Sequence, residues 1–161
     1  MKARYSKEID RLYLQMYPML FEYARSSLSN DALAEEAVQD AFTIACQKPE
    51  ALCESRNPEG WLVNTLKNVL SNTIRSQNIA KRILLDYFAS NVHDISVSTD
   101  RVGLEILYDD IADLEEFKLL KEMALDGRSY LEMAEERGIT VGTCRKRVER
   151  AKKVLRKKIQ L

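Results

Sequence analysis

The sequence predicts an all-α chain: two small helical domains, an N-terminal bundle and a C-terminal helix-turn-helix, joined by an acidic linker. Apolar residues recur at three- and four-residue spacings along most of the 161 residues, the period of helices that bury one face. Five Gly and three Pro are too few for the turns of an all-β domain. The charge sums to zero, from 25 basic and 25 acidic residues, but is distributed unevenly. Residues 1–90 hold 11 of each sign, residues 91–127 hold 3 basic and 10 acidic, and residues 128–161 hold 11 basic and 4 acidic. A neutral, an acidic and a basic stretch in that order fit two domains with a linker between them.

Composition excludes several classes. With 45% hydrophobic and 31% charged residues, the chain can bury a core. No apolar run approaches the roughly 20 residues of a membrane helix, and Met1-Lys2-Ala3-Arg4 has no apolar stretch behind it. Neither a membrane span nor a signal peptide is expected, and the cytoplasm is the expected location. Cys46, Cys53 and Cys144 show no Cys-x-x-Cys spacing, which argues against a disulfide framework or a zinc site. The single His93 excludes most His-dependent catalysis. No cofactor, metal or enzymatic activity is expected.

The elements follow from period and punctuation. Ile9, Leu12, Tyr13, Met16, Leu20, Tyr23 and Ala24 mark a first helix, which Pro18 should break or kink. Ser29 or Asn30 caps a second helix, whose stripe is Ala34, Ala37, Val38, Ala41, Phe42 and Ala45. A loop is expected over about 47–57. Asn57-Pro58 then reads as N-cap followed by Pro at the first helical position. The helix so opened runs through Trp61, Leu62, Leu66, Val69, Leu70 and Ile74. Residues 79–111 read as linker, and a further helix is expected over 112–122. Ser129 and Glu132 form a capping box, Gly138 closes that helix, and Thr140 caps the last one. Val141, Cys144, Val148, Ala151, Leu155 and Ile159 are its apolar stripe. Two helices joined by about three residues around a Gly make a helix-turn-helix, with small Ala134 permitting close approach.

Three polar faces bear on function. The last 21 residues carry 9 basic residues and 1 acidic, the electrostatic footprint of a polyanion partner. Arg145, Lys146, Arg150 and Lys153 are expected to project from the apolar stripe, free to enter a major groove. On the second helix Glu35, Glu36, Gln39 and Asp40 lie opposite the apolar stripe, a face suited to a basic partner. On the third, Asn64, Asn68, Ser71 and Arg75 form one stripe flanked by Lys67 and Asn72. Amides, a hydroxyl and cations there suit base edges and phosphates of exposed single strands. Trp61 opens the same helix and reads more readily as core than as a stacking platform.

Together these pieces resemble the small two-domain, extracytoplasmic-function type of bacterial RNA polymerase sigma factor, in the sigma-70 family. The stretch Ala34-Glu35-Glu36-Ala37-Val38-Gln39-Asp40-Ala41-Phe42 is similar to that family's polymerase-binding helix. Pro58-Glu59-Gly60-Trp61-Leu62, with Asn68 and Arg75 at steps of seven from the Trp, is similar to its promoter-melting helix. Ser129 to Ala134, then Gly138 to Thr143, then Arg147 and Arg150-Ala151 resemble its promoter-reading helix-turn-helix. There are departures: Ala37 stands where the family usually has Leu, Asn72 where Asp is frequent, and the Leu-Pro that opens the second domain is missing near Ala112-Asp113.

The resemblance implies a dissociable initiation subunit, not an enzyme, whose partners are core RNA polymerase and promoter DNA, with an anti-sigma factor as a further candidate. Residues 1–78 would bind polymerase and melt the promoter, 79–111 would link, and 112–161 would read the upstream duplex element. By the same resemblance Glu35, Glu36, Gln39 and Asp40 face the clamp helices of the largest polymerase subunit. Asn64, Asn68 and Arg75, with the loop at 47–57, hold flipped and melted bases near the start site. Arg145, Lys146, Glu149 and Arg150 reach base edges of the upstream element, with Thr143 at the start of their helix. Arg147 and the helix N-terminus at Ser129 hold phosphates. Glu149 is placed either on a cytosine amino group or in an intrahelical pair with Arg145 or Lys153. The acidic linker suits the positive RNA exit path of the polymerase. The residues alone also allow a free-standing helix-turn-helix regulator whose N-terminal helices dimerise or sense a ligand, or an adaptor whose basic tail is incidental.

Overall fold

The computed structural model describes residues 3–91 and 115–159. Among them lie seven helices: α1 (Ala3–Leu28), α2 (Asp31–Gln47), α3 (Pro49–Cys53), α4 (Pro58–Asn91), α5 (Glu115–Ala124), α6 (Tyr130–Arg137) and α7 (Val141–Ile159). No strand occurs among the described residues, so the all-α expectation holds. The chain divides into two compact units, Met1–Arg75 and Ser76–Leu161.

In the first unit α1 buries Tyr5, Ile9, Leu12, Met16, Leu20 and Ala24. All but Tyr5 join one core with Ala34, Ala37, Val38, Ala41, Phe42 and Ala45 of α2 and Leu62, Leu66 and Leu70 of α4. Each large aliphatic side chain so buried contributes about 1.5–3 kcal/mol. The alanines of α2 carry no side chain beyond Cβ, which lets α1 approach closely. Pro18 does not break α1. It lies on the exposed side of the helix, where the Leu14 carbonyl that loses its donor can bond water, while Met16 and Leu20 anchor both flanks. The expected stripe included Tyr13 and Tyr23, yet both are 42% exposed. Tyr13 lies edge-on to Phe42 at 4.9 Å, at the rim of the core.

The joints use the expected punctuation. Ser29 takes a left-handed φ of 52° and closes α1, its N–H donating to the Arg25 carbonyl at 2.8 Å. Asn30 is the cap of α2, and its Oδ1 accepts from Leu33 N–H at 2.9 Å. The stretch expected as loop at 47–57 contains the helical turn α3, which sinks Leu52 fully into the core. Asn57 Oδ1 accepts from Gly60 N–H at 2.9 Å at the start of α4. A Cβ at position 60 would come within 2.6 Å of the Asn57 amide, so this cap needs Gly60.

The second unit differs most from expectation. α4 does not stop near residue 78 but continues to Asn91. Ala80, Ile83, Leu84, Tyr87 and Phe88 form one core with Phe117, Leu120 and Met123 of α5, Met133 and Ala134 of α6, and Cys144, Val148, Ala151 and Leu155 of α7. Phe88 meets Phe117 edge-to-face at 5.3 Å. Residues 79–91, read from sequence as the start of the linker, are thus a helical wall of this unit. The rest of that linker, 92–111, lies outside the described residues, as do the first residues of the helix expected from 112. Trp61 is half-buried against the first core, in line with its reading as core.

Leu84→Ala should cost the second unit about 2–5 kcal/mol, the usual range for truncating a fully buried Leu. Amide hydrogen exchange should then quicken in α5, α6 and α7 and stay unchanged in α1 and α2. Unchanged exchange in α5–α7 would show that residues 79–91 are not part of that core.

Candidate nucleic-acid interface

The helix-turn-helix is built by local chemistry. Ser129 Oγ accepts from Glu132 N–H at 3.1 Å, and a Glu132 carboxylate oxygen accepts from Ser129 N–H at 2.8 Å. This capping box starts α6. Gly138 ends it at φ 61°, with Ile139 N–H returning to the Ala134 carbonyl at 3.0 Å. That backbone is left-handed, the region a side chain disfavours. Thr140 then caps α7, its Oγ1 accepting from Thr143 N–H at 3.1 Å.

α7 buries Cys144, Val148, Ala151, Lys152 and Leu155. Lys146, Arg150, Lys153 and Lys157, at steps of four, three and four, form the opposite ridge, and all are exposed. Arg147, Arg156 and Lys158 flank it, also exposed. Of the cations in residues 128–161 that lie before α7, both are engaged within the fold. Arg137 donates to both carboxylate oxygens of Glu122, at 2.8 and 3.0 Å, and to Glu115 at 3.2 Å. These bonds, Glu122 first, raise its pKa against the opposing effect of burial. Arg128 pairs with Glu136 and, at 3.4 Å, with Glu122. Its hydrogen bond holds the Glu136 carboxyl below its ordinary pKa. Glu136 therefore contributes to folding at neutral pH and stops contributing as pH falls through its folded value. The positive potential open to a partner is concentrated on α7.

Not every expected contact residue is free to make its contact. Lys146, Arg147, Arg150 and Thr143 are exposed along α7. Ser129 is 1% exposed and its side chain serves the cap. Arg145, expected on the outward face, is half-buried with its guanidinium over the Tyr130 ring at 5.2 Å, bracing α7 against α6. Glu149 is in an intrahelical pair, but its partner is Lys152 at 2.8 Å rather than Arg145 or Lys153. Lys152 is the residue that sequence reading missed. It falls four residues after Val148 and three before Leu155, so the apolar period signals its burial.

In the first unit, Asn64, Asn68, Ser71 and Arg75 are all exposed on α4, opposite the buried Leu62, Leu66 and Leu70. On α2, Glu35 and Gln39 are exposed and bonded to each other at 3.3 Å, while Glu36 and Asp40 are half-buried. With Asp31, α2 carries four acids and no base. Burial, and next the Glu35 carboxylate, push up the pKa of Tyr17 on α1. Tyr17 stacks on Phe21 at 6.1 Å, so an aromatic edge borders the acidic face. That border was not expected from sequence, because Tyr13 had been assigned to the core. Cys46 is exposed, Cys53 half-buried and Cys144 buried. No metal-holding cluster occurs among the described residues.

The family model of Sigma-70 region 2 matches residues 12–80, and that of Sigma-70 region 4 matches residues 115–155. The chain belongs to the sigma-70 family. The pairing of regions 2 and 4 is the two-domain, extracytoplasmic-function architecture, so this is an alternative sigma factor that binds RNA polymerase and recognises promoters. The family's members are non-enzymatic initiation factors. Comparison with curated proteins returns no match. No helix is long and apolar enough to cross a membrane among the described residues of the sigma factor.

Arg147→Ala should lower the slope of log affinity against log salt for promoter duplex by about 1, the effect of one lost phosphate contact. Ser129→Ala should leave that slope unchanged and cost about 1 kcal/mol of stability as a lost cap. A reduced slope for Ser129→Ala with stability intact would reverse the two assignments.

Proposed function

We propose that the two units divide initiation between them. The first unit takes core polymerase on the α2 face and melted promoter on the α4 stripe. The second takes the upstream duplex on α7. The single observation that carries this reading is the opposition of faces on each helix: every apolar seam is buried, and the faces opposite differ in charge. α2 is acidic, the α4 stripe is nearly neutral with Arg75 its only charge, and the α7 ridge is cationic. Phosphate neutralisation supplies most of the affinity for duplex, so only α7 is equipped to gather it.

Glu35 and Asp40, with Glu36 and Gln39, bind a basic surface on the clamp helices of the largest subunit. Asn64, Asn68 and Arg75 hold unpaired bases whose extrusion from the duplex costs a few kcal/mol. Lys146 and Arg150 reach base edges, and Arg147 and Thr143 lie toward the phosphates. Residues 1–78 thus act as the region 2 domain and 112–161 as the reading domain, with residues 79–91 supporting the latter. The factor acts in the cytoplasm, where polymerase and promoter are, and an anti-sigma factor is the further partner class that the family likeness suggests.

The test uses the full chain with core polymerase. Glu35→Lys/Asp40→Lys should lose most capture of core polymerase while helicity is kept. Asn68→Ala/Arg75→Ala should still form the closed complex but lose permanganate reactivity of thymines near the start site. Full reactivity in the second variant, or undiminished capture by the first, would refute the corresponding assignment.

A further inference from the structure

Lys152 is a buried charge on a helix that exposes seven of its nine cations. It is 4% exposed, and its ammonium donates to Ser76 Oγ at 2.9 Å and to Glu149 Oε1 at 2.8 Å. A buried ammonium needs a compensating charge as well as hydrogen bonds. The Ser76 hydroxyl of α4 is neutral, so Glu149 supplies that charge. Glu149 is three residues before Lys152 on α7, and its side chain is 60% exposed. Its carboxylate is therefore drawn along the flank of α7 toward the buried seam, away from the ridge formed by Lys146, Arg150 and Lys153.

We propose that Lys152 is a positioning residue of promoter reading. By holding Glu149 as its counter-ion, it keeps a carboxylate out of the groove and leaves base selection to Lys146 and Arg150. The proposal rests on the reading of α7 as the duplex-facing helix. A carboxylate released from Lys152 on this helix has an obvious target, the amino group of cytosine, which a Glu accepts from in the major groove. Lys152 thus determines whether the promoter-reading face contains an acid. Ser76 fixes the ammonium from the other side, which ties the setting to the continuation of α4.

The measurement is base preference at each position of the upstream element, read from a promoter library with the full chain and core polymerase. Lys152→Met removes the buried charge and keeps an apolar stem of similar length, and the Glu149 carboxylate it leaves is 60% exposed, so no unpaired charge stays buried. It should shift preference toward cytosine at one position by at least about fivefold, the low end of one good base contact. Lys152→Met/Glu149→Ala should abolish the shift, and Lys152→Arg should retain the wild-type preference. Glu149→Ala alone should leave every position within about twofold of wild type.

A base-specific shift in Glu149→Ala alone would overturn the proposal, since Glu149 would then already read a base. So would a Lys152→Met shift that persists without Glu149, or a loss spread evenly over all sequences. Arg150→Ala in the same library separates this failure from that of the underlying reading. If Arg150→Ala changes no base preference, α7 does not read the duplex and the inference falls with that reading. If it does change preference, a failure in the Glu149 and Lys152 variants counts against this proposal alone.

Discussion

The burial of one seam on each helix is the constraint from which the rest follows. α7 has nineteen residues, nine of them basic, and by its own composition has no preferred way to face. Cys144, Val148, Ala151 and Leu155 settle its rotation by entering a core with Phe117, Met133 and Phe88. Once they are buried, Lys146, Arg150, Lys153 and Lys157 have to lie opposite, because a helix places residues three and four apart on one side. The same constraint turns Glu35 and Gln39 outward on α2, with Glu36 and Asp40 half-buried beside them, and Asn64, Asn68 and Arg75 outward on α4. The three polar surfaces are the complements of three buried seams.

Charge pairing sharpens what the seams set up. Arg128 and Arg137 are neutralised by Glu115, Glu122 and Glu136, and Arg145 braces α6 through Tyr130. Lys152 is buried against Glu149. The basic excess of residues 128–161 therefore divides into cations that hold the fold and cations that remain for a polyanion. The second group is confined to α7, which places that positive potential on one helix rather than along a diffuse basic tail.

Much of this was legible in the sequence because the signals were local. The capping box at Ser129 and Glu132, the left-handed Gly138, the Asn30 and Asn57 caps and the stripes of α2 and α7 each depend on residues within one or two turns. What was not legible depended on distant partners. Residues 79–91 were assigned to a linker because the acidic composition beyond them set the boundary, although Ala80, Ile83, Leu84, Tyr87 and Phe88 carry a helical period. Their burial needs α5 and α7, which are far away in the chain. Pro18 is expected to break or kink α1, yet the helix runs through it unbroken, because it falls on the solvent side, where the carbonyl that loses its donor is open to water. The resemblance puts the helix N-terminus at Ser129 and the guanidinium of Arg145 toward DNA. The Ser129 side chain is instead taken up by Glu132 N–H as the N-cap, and Arg145 lies over the Tyr130 ring. Lys152 has no role in the sequence reading, because its charge outweighs its position in the apolar period.

The most direct test is site-directed cleavage of promoter DNA in the polymerase complex. The exposed Cys46 is first replaced by Ser, and a hydroxyl-radical-generating chelate is attached to a single new cysteine, either Lys153→Cys on α7 or Ser71→Cys on α4. The chelate at position 153 should cut only the upstream duplex element. The chelate at position 71 should cut only near the start site, and more strongly once the promoter is open. Cuts from position 153 near the start site, or from position 71 in the upstream element, would contradict the assignment of duplex reading to α7 and strand capture to α4.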